Sequence, residues 1–460
     1  MGDRLSALDM TFLQIEEQDS GSHMHVGSAM LFDGQLDRDD LMRSLEASLH
    51  QVPRYRQRLQ FPPAGVARPE WVDDASFDLG HHVREHDLDG GDLDDLREFA
   101  GRLFSRRLDR DKPLWEQTVV RNVSDGRSAL VSKTHHCMID GLAGMDVLSM
   151  LFDTDPDATP PEDPSAGEWD PDGPPSKLGR LGGVAADTAG EIVSVPGKAV
   201  GAAVGAATDP IGTVKGAVDA AQGAVGILRE RAAASPDSPY NGQVGSHRRF
   251  AWVDISLEDV KKAKEALGVS VNDVVLAAMT GALRRDLARR GASTDEPLTA
   301  QVPVSIRTEE QEGQSGNRVV NIYCPLPVDE PEPHARVRRV AEAMDTLKDG
   351  SHAVGAEALL GLGTFAPPNL MAQASRELMG KEMFNLTISN VPGPRMPLYL
   401  AGQRMTGIYP QMQLFPGHGL GVAVISYDGQ MCFGFSSDPD MVGDPACFAD
   451  DLTAAFAELN

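Results

Sequence analysis

The residues with the clearest capacity for chemistry lie close together, where His135 and His136 are followed by Asp140 and Gly141 at the end of an apolar run. Histidine titrates near neutral pH and is the side chain best suited to take up a proton there. A glycine after the aspartate permits a tight turn or a close backbone approach. With an ordinary pKa of about 6.5, His136 is too weak a base to strip a proton from an alcohol outright. It can accept the proton while the hydroxyl attacks an activated carbonyl, a contribution of about 10² to 10⁴ in rate. That attack leaves an oxyanion, and a positioned donor to it is typically worth about 3 kcal/mol. Thr387, Ser389 and Asn390 offer hydroxyl and amide donors at the end of another strand-like run, just before Pro392, Gly393 and Pro394. The same residues read equally well as two hydrogen-bonded, partly buried histidines in a turn, and as polar groups capping a strand end.

His135, His136 and Asp140 are all possible metal ligands. Neighbouring histidines diverge, however, and no further Cys, His or Glu cluster joins them, so no metal site is expected. Asp140 is expected instead to lock the turn through a buried ion pair, with Arg307, isolated at a strand end, as its partner. A Ser-His-Asp triad is disfavoured because no G-x-S-x-G elbow occurs anywhere.

The elements around these residues predict how they are held. Residues 128–134 read as a strand that delivers the histidines at its C-terminal end, and 141–152 as the helix that follows. Reactive side chains at a strand's carboxyl end are a recurrent arrangement in α/β folds. Upstream, 5–13 starts as a capped helical turn, 23–32 and 117–123 as strands, 37–51 and 92–107 as amphipathic helices, and 77–83 as a short extended piece. Ser124, Asp125 and Gly126 signal a hairpin turn. Residues 153–175, rich in Asp and Pro, read as a linker, and the Gly/Ala/Val-rich 177–234 as weakly amphipathic crossover helices. Further on, Ser256 caps a helix over 257–267 that Gly268 ends, and Ser270 caps a helix over 271–290 that Gly291 ends. Strands are predicted over 248–255, 298–306, 319–326 and 384–391, and a hairpin over 420–427 and 430–435 around Asp428 and Gly429. Helices over 333–348 and 445–459 complete the second half. The shared alternation of helix and strand predicts two related α/β lobes. The division is 1–155 for the N-terminal lobe, 156–245 for linker and crossover helices, and 246–460 for the C-terminal lobe.

Composition narrows the function classes. A chain of 460 residues exceeds one ordinary core, and 41% apolar residues suffice for two. A formal charge of -26 argues against a nucleic-acid partner, since phosphates would be repelled over most of the surface. The four cysteines, Cys137, Cys324, Cys432 and Cys447, show no C-x-x-C spacing, which points to free thiols in a reducing cytosol. No basic segment followed by an apolar run opens the chain, so no signal peptide is expected. No apolar window of about 18 residues predicts a spanning helix.

Further pieces recur with the histidine stretch: Leu8, Asp9, Phe12 and Leu13; Pro113, Leu114 and Trp115; Val271, Asn272, Asp273 and Val274; Pro303, Val304, Ser305 and Arg307; Gly316 and Asn317; and the run from Ser389 to Pro394. In this order they cover both halves apart from about 155–245, and together the chain resembles the bacterial wax ester synthase/acyl-CoA:diacylglycerol acyltransferases of the chloramphenicol acetyltransferase-like superfamily. The resemblance implies an α/β fold of two such lobes, each a mixed β-sheet flanked by helices, with an active-site tunnel between them. Acyl-CoA would enter from one side, and diacylglycerol or a long-chain alcohol from the other. It implies His136 as general base, with Asp140 and Gly141 structural and His135 positioning. Asn272 and Asp273 would shape the site, and transfer would be direct, without an acyl-enzyme. Ser389 also resembles the serine of the T-x-S-N stretch in dihydrolipoyl acyltransferases, which helps the oxyanion, and Asn390 accompanies it. No cofactor is implied, because acyl-CoA is a substrate. The implied activity is triacylglycerol synthesis, with wax ester synthesis as a companion, in a cytoplasmic protein with peripheral contact to the inner membrane or lipid inclusions left open. Two other readings compete: a carrier-protein-dependent condensation domain sharing H-H-x-x-x-D-G, and a catalytically silent lipid-binding relative.

Overall fold

Ser6 accepts a hydrogen bond from the Asp9 amide and starts helix α1 (Ala7–Gln18) in a computed structural model that describes residues 4–62, 68–138, 151–158, 171, 235–305, 319–349 and 383–459. The first half continues with β1 (His25–Asp33), α2 (Arg38–Ser48), β2 (Gln57–Gln60), β3 (Glu70–Asp73), α3 (Leu79–His82), β4 (Val83–Asp87), α4 (Leu93–Phe104), β5 (Trp115–Val123) and β6 (Arg127–His135). A single 3₁₀ turn, His136–Met138, follows β6. The second half contains β7 (Arg249–Ser256), α5 (Leu257–Leu267), α6 (Val271–Arg290), β8 (Leu298–Ser305), β9 (Val319–Leu326), α7 (Pro333–Asp349), β10 (Leu386–Val391), β11 (Tyr399–Leu400), β12 (Gln403–Gln411), β13 (Leu420–Tyr427), β14 (Gln430–Ser437) and α8 (Ala446–Ala457). The expected helix over 141–152 and the crossover helices over 177–234 lie outside the described residues, apart from Leu151 and Phe152.

Local chemistry accounts for most boundaries. Ser256 and Ser270 accept from the amides of Asp259 and Asp273, and Gly268 and Gly291 close α5 and α6 in the left-handed conformation at φ 69° and 66°. Asp125 (φ 64°) and Gly126 (φ 73°) form the turn between β5 and β6. One expectation is corrected: residues 77–83 are not an extended piece. Asp78 accepts from the Gly80 amide and folds Leu79–His82 into a helical turn, so extended backbone resumes only at Val83. The short pair β2–β3 was not anticipated at all.

Two six-stranded mixed sheets form the frame. The first has the order β11-β12-β1-β6-β5-β4, antiparallel except for the parallel β4–β5 pair. The second has the order β7-β14-β13-β10-β8-β9, with β10 parallel to both of its neighbours. The first sheet is completed by β11 and β12 from the far half of the chain, with Ala29 opposite Tyr409. The division drawn at residue 246 is therefore crossed by a pair of returning strands. Gly434 lets β12 lie against β14: a Cβ there would meet the Pro410 carbonyl oxygen at 1.8 Å. Apolar residues fill one cluster around the first sheet and another around the second, where α6 is buried along most of its length. A third cluster joins Phe12, Ile15 and Met24 of the first half to Met383, Phe384 and Phe415 of the second. Among the described residues no single helix is long and apolar enough to cross a membrane.

Candidate active site

The site is assembled around the end of β6. His135 is the last residue of the strand, opposite His25 on β1, and its amide donates to the Leu114 carbonyl at 2.9 Å. Leu114 belongs to the Pro113-Leu114-Trp115 piece, which Trp115 anchors by donating its Nε1–H to the Tyr55 carbonyl at 2.8 Å. Two residues back on the same face, buried Lys133 pairs with Glu116 at 2.5 Å and donates to the carbonyls of Leu103 and Arg106 near the end of α4. A cation at the C-terminal end of the helix suits its dipole.

The two histidines have opposite environments. His135 is buried, and its Nε2 lies 2.7 Å from Glu16 Oε2. Its Nδ1 faces the Cys137 amide at 3.2 Å and the Cys137 Sγ at 3.0 Å. A backbone amide can only donate, so Nδ1 accepts, and in the neutral ring Nε2 carries the hydrogen given to Glu16. Burial lowers the pKa of His135 against the opposing pull of Glu16. Burial raises that of Glu16, but the hydrogen bond from His135, with the charges of Arg110 and Arg107, outweighs it and leaves the carboxyl below its usual range. The guanidinium groups stand 3.8 Å and 3.6 Å from the carboxylate.

His136 is half-buried, and its ring stacks on Phe12 at a centroid distance of 4.0 Å. Its amide donates to the Met24 carbonyl at 2.8 Å. Nδ1 is buried without a partner among the described residues. Burial, and then the neighbouring His135, push its pKa down to about 4, so it is neutral and able to accept a proton at pH 7. Cys137 beside it is buried, and burial followed by Asp9 raises its thiol well above the ordinary value.

On the second sheet, Ser389 and Asn390 are half-buried near the end of β10, opposite Ala423 and Val424. Asn390 donates its side-chain amide to Asn272 Oδ1 at 3.3 Å, tying the strand end to the first turn of α6. Asp273, in the same turn, is buried and forms a capping box with Ser270, accepting at Oδ2 while Oδ1 is buried without a partner among the described residues. Thus Asn272 and Asn390 meet directly, and the interlobe cluster contains both Phe12, the platform of His136, and Phe384, which leads into β10. Asp140, Gly141 and Arg307 lie outside the described residues. Among the described residues, no group of three His, Cys, Asp or Glu side chains is placed to hold a metal ion.

Comparison with known proteins identifies the family. The model of the wax ester synthase/diacylglycerol acyltransferase catalytic domain matches residues 5–275, and that of the WS/DGAT C-terminal domain matches 315–460. The chain belongs to the wax ester synthase/diacylglycerol acyltransferase family. It is 32% identical to a protein of Mycobacterium tuberculosis H37Rv named as the diacylglycerol O-acyltransferase tgs1, over 99% of this chain and 95% of the relative. Identity to the one named tgs2 from the same strain is also 32%, over 93% and 92%. The solved wax ester synthase/diacylglycerol acyltransferase of Marinobacter aquaeolei VT8 superposes with a TM-score of 0.67 at 26% identity, covering 99% of this chain and 98% of that one. The first condensation domain of the CDA synthetase shares the fold, with a TM-score of 0.59 at 17% identity.

As a WS/DGAT-family acyltransferase, the protein has the two-lobed mixed α/β architecture that the motifs implied. Sequence reasoning missed Glu16, Phe12 as a ring platform, and Lys133 with Glu116. Phe12 stood within a recognised piece. Glu16 lies one helical turn after it, so the same helix face carries both, and an acid on an otherwise apolar face was the available signal.

Proposed function

We propose that this WS/DGAT-family acyltransferase moves a long-chain fatty acyl group from acyl-CoA to the free hydroxyl of diacylglycerol, with His136 as general base. The observation that carries this reading is the state of His136: a neutral, half-buried imidazole on an aromatic platform at a strand end, within a family of acyltransferases. His136 takes the hydroxyl proton as the oxygen attacks the thioester carbonyl. Ser389 and Asn390 supply donors to the oxyanion. The C–O bond forms, the C–S bond breaks, and the proton passes to the departing thiolate as free CoA. The protonated, buried state of Cys137 supports direct transfer, because a thiolate is needed for an acyl-enzyme at that position. The diacylglycerol acceptor is supported by the names of tgs1 and tgs2, which align with almost the whole chain. Acyl-CoA is consumed as substrate and no cofactor enters the scheme. The apolar chains of the acceptor place the reaction beside a lipid surface, on the cytoplasmic face of the membrane or at a lipid inclusion.

The test is release of CoA from palmitoyl-CoA by the purified protein, with diolein as acceptor. His136→Ala should lower kcat by about 10² to 10⁴, and full activity in that variant overturns the base assignment. Release with hexadecanol and none with diolein moves the acceptor to fatty alcohols.

A further inference from the structure

We infer that Glu16 is a positioning residue for the reaction: from helix α1 it holds His135 in the Nε2–H tautomer, and His135 in turn fixes the backbone that aims His136. The inference rests on His136 being the base. Three contacts carry it. Glu16 accepts the His135 Nε2–H at 2.7 Å, leaving Nδ1 as an acceptor. That nitrogen then receives the Cys137 amide at 3.2 Å, which pins the peptide joining His136 to Cys137. The His136 amide is pinned on its other side by the Met24 carbonyl at 2.8 Å. Both peptide groups flanking the His136 Cα are therefore held, and with them its φ and ψ.

Helix α1 grips both rings at once. Phe12 lies on the His136 ring and Glu16, one turn later, holds His135. The opposite tautomer would set the Nδ1–H against the Cys137 amide, donor against donor, in a buried place where neither finds water. A carboxylate excludes that tautomer because it can only accept. An amide does not, because it can turn its NH₂ toward Nε2. The carboxylate is kept ionised in a buried position by Arg107 and Arg110. This arrangement resembles in principle the way a buried acid sets the tautomer of a catalytic histidine, here one residue removed from the base.

The test uses the full chain with Glu16→Gln, Glu16→Asp, His135→Gln and the Glu16→Gln/His135→Gln pair, assayed with palmitoyl-CoA and whichever acceptor the wild type uses. Glu16→Gln should lower kcat about tenfold per folded molecule with KM for both substrates unchanged, and Glu16→Asp should recover part of the loss. The double variant should be no slower than His135→Gln alone, because Glu16 acts only through His135. Nitrogen NMR of ¹⁵N-histidine-labelled protein, with the His135 signals assigned by their loss in His135→Gln, should show a protonated Nε2 and a bare Nδ1. It should also show a mixture of tautomers in Glu16→Gln. Wild-type kcat in Glu16→Gln, multiplicative losses in the double variant, or a protonated Nδ1 in the wild type each overturns the inference. Should Glu16→Gln fail to fold, the wild-type tautomer and the kcat of Glu16→Asp decide it. His136→Ala is assayed alongside: its retention of activity would sink the base assignment itself, whereas its loss beside an unaffected Glu16→Gln sinks only the role of Glu16.

Discussion

The ends of β6 and β10 both carry residues assigned to chemistry, yet they are held in different ways. At the end of β6, His135 and His136 are fixed by side chains from elsewhere: Glu16 and Phe12 of α1, with the Leu114 and Met24 carbonyls. At the end of β10, Ser389 and Asn390 are held chiefly by the parallel ladder to β13, supplemented by the single amide contact to Asn272. β10 then ends on the exposed Val391 and runs into a loop in which Met396 is exposed. A base must keep its ring orientation and protonation state, which takes buried, directional partners. A donor at a strand end inherits its position from the backbone and needs fewer. The difference predicts a brittle β6 end and a tolerant β10 end.

The largest effect that would sharpen this contrast is at Ser389. Removing its hydroxyl in Ser389→Ala should cut kcat by about a hundredfold, near the 3 kcal/mol typical of an oxyanion donor, and leave the urea midpoint unchanged. A variant with wild-type kcat would remove Ser389 from the mechanism and leave the β6 end alone in it.

Acid should separate the two ends next. At the β6 end His23 and His136 are pushed down to about 4, mainly by burial, and His25 and His135 are lowered as well. In the unfolded chain these rings titrate near about 6.5. Between those values the unfolded chain binds protons that the native chain does not, so the stability these groups contribute is present above about 6.5 and is lost as the pH falls toward about 4. In the second lobe His418 is also lowered by burial, opposed by the carbonyls of Phe384 and Pro416. Hydrogen exchange corrected for intrinsic rate should therefore show β1 and β6 losing protection before β10 and β13 as the pH drops. Simultaneous loss would break the comparison.

The smallest effect is expected at Asn272→Ala. It removes the acceptor for Asn390 while the ladder of β10 remains, so kcat should fall only about threefold, in keeping with the modest net worth of one hydrogen bond. A loss as large as that of Glu16→Gln would show that the β10 end depends on this contact as strongly as the β6 end depends on Glu16.

Elements set by neighbouring residues were legible in advance. The caps at Ser256 and Ser270 and the closing glycines Gly268 and Gly291 delimit α5 and α6 at the residues expected, because each boundary is a hydrogen bond or a φ value within a few residues. The helical turn at Leu79–His82 was misread because its apolar pattern is too short to separate a turn of helix from a strand, and the Asp78 cap decides it. Strands β11 and β12 escaped for another reason. β12 pairs with β1 across most of the chain length, as in the Thr406 hydrogen bond to the Leu31 carbonyl, and carries β11 on its other edge; no local signal encodes such a partner.

By itself the sequence determined the family and singled out the residues proposed for the chemistry, since proton transfer and oxyanion binding restrict the residue types and the motifs hold them in order. Taken as residues alone, His135 and His136 are two equal imidazoles side by side, and only the family resemblance implied the base for one and positioning for the other. Only the tertiary structure gave them different surroundings. It brought Glu16 to one ring and Phe12 to the other from a single helix, and a buried hydrogen bond selects a tautomer only when folding has placed both partners within about 3 Å.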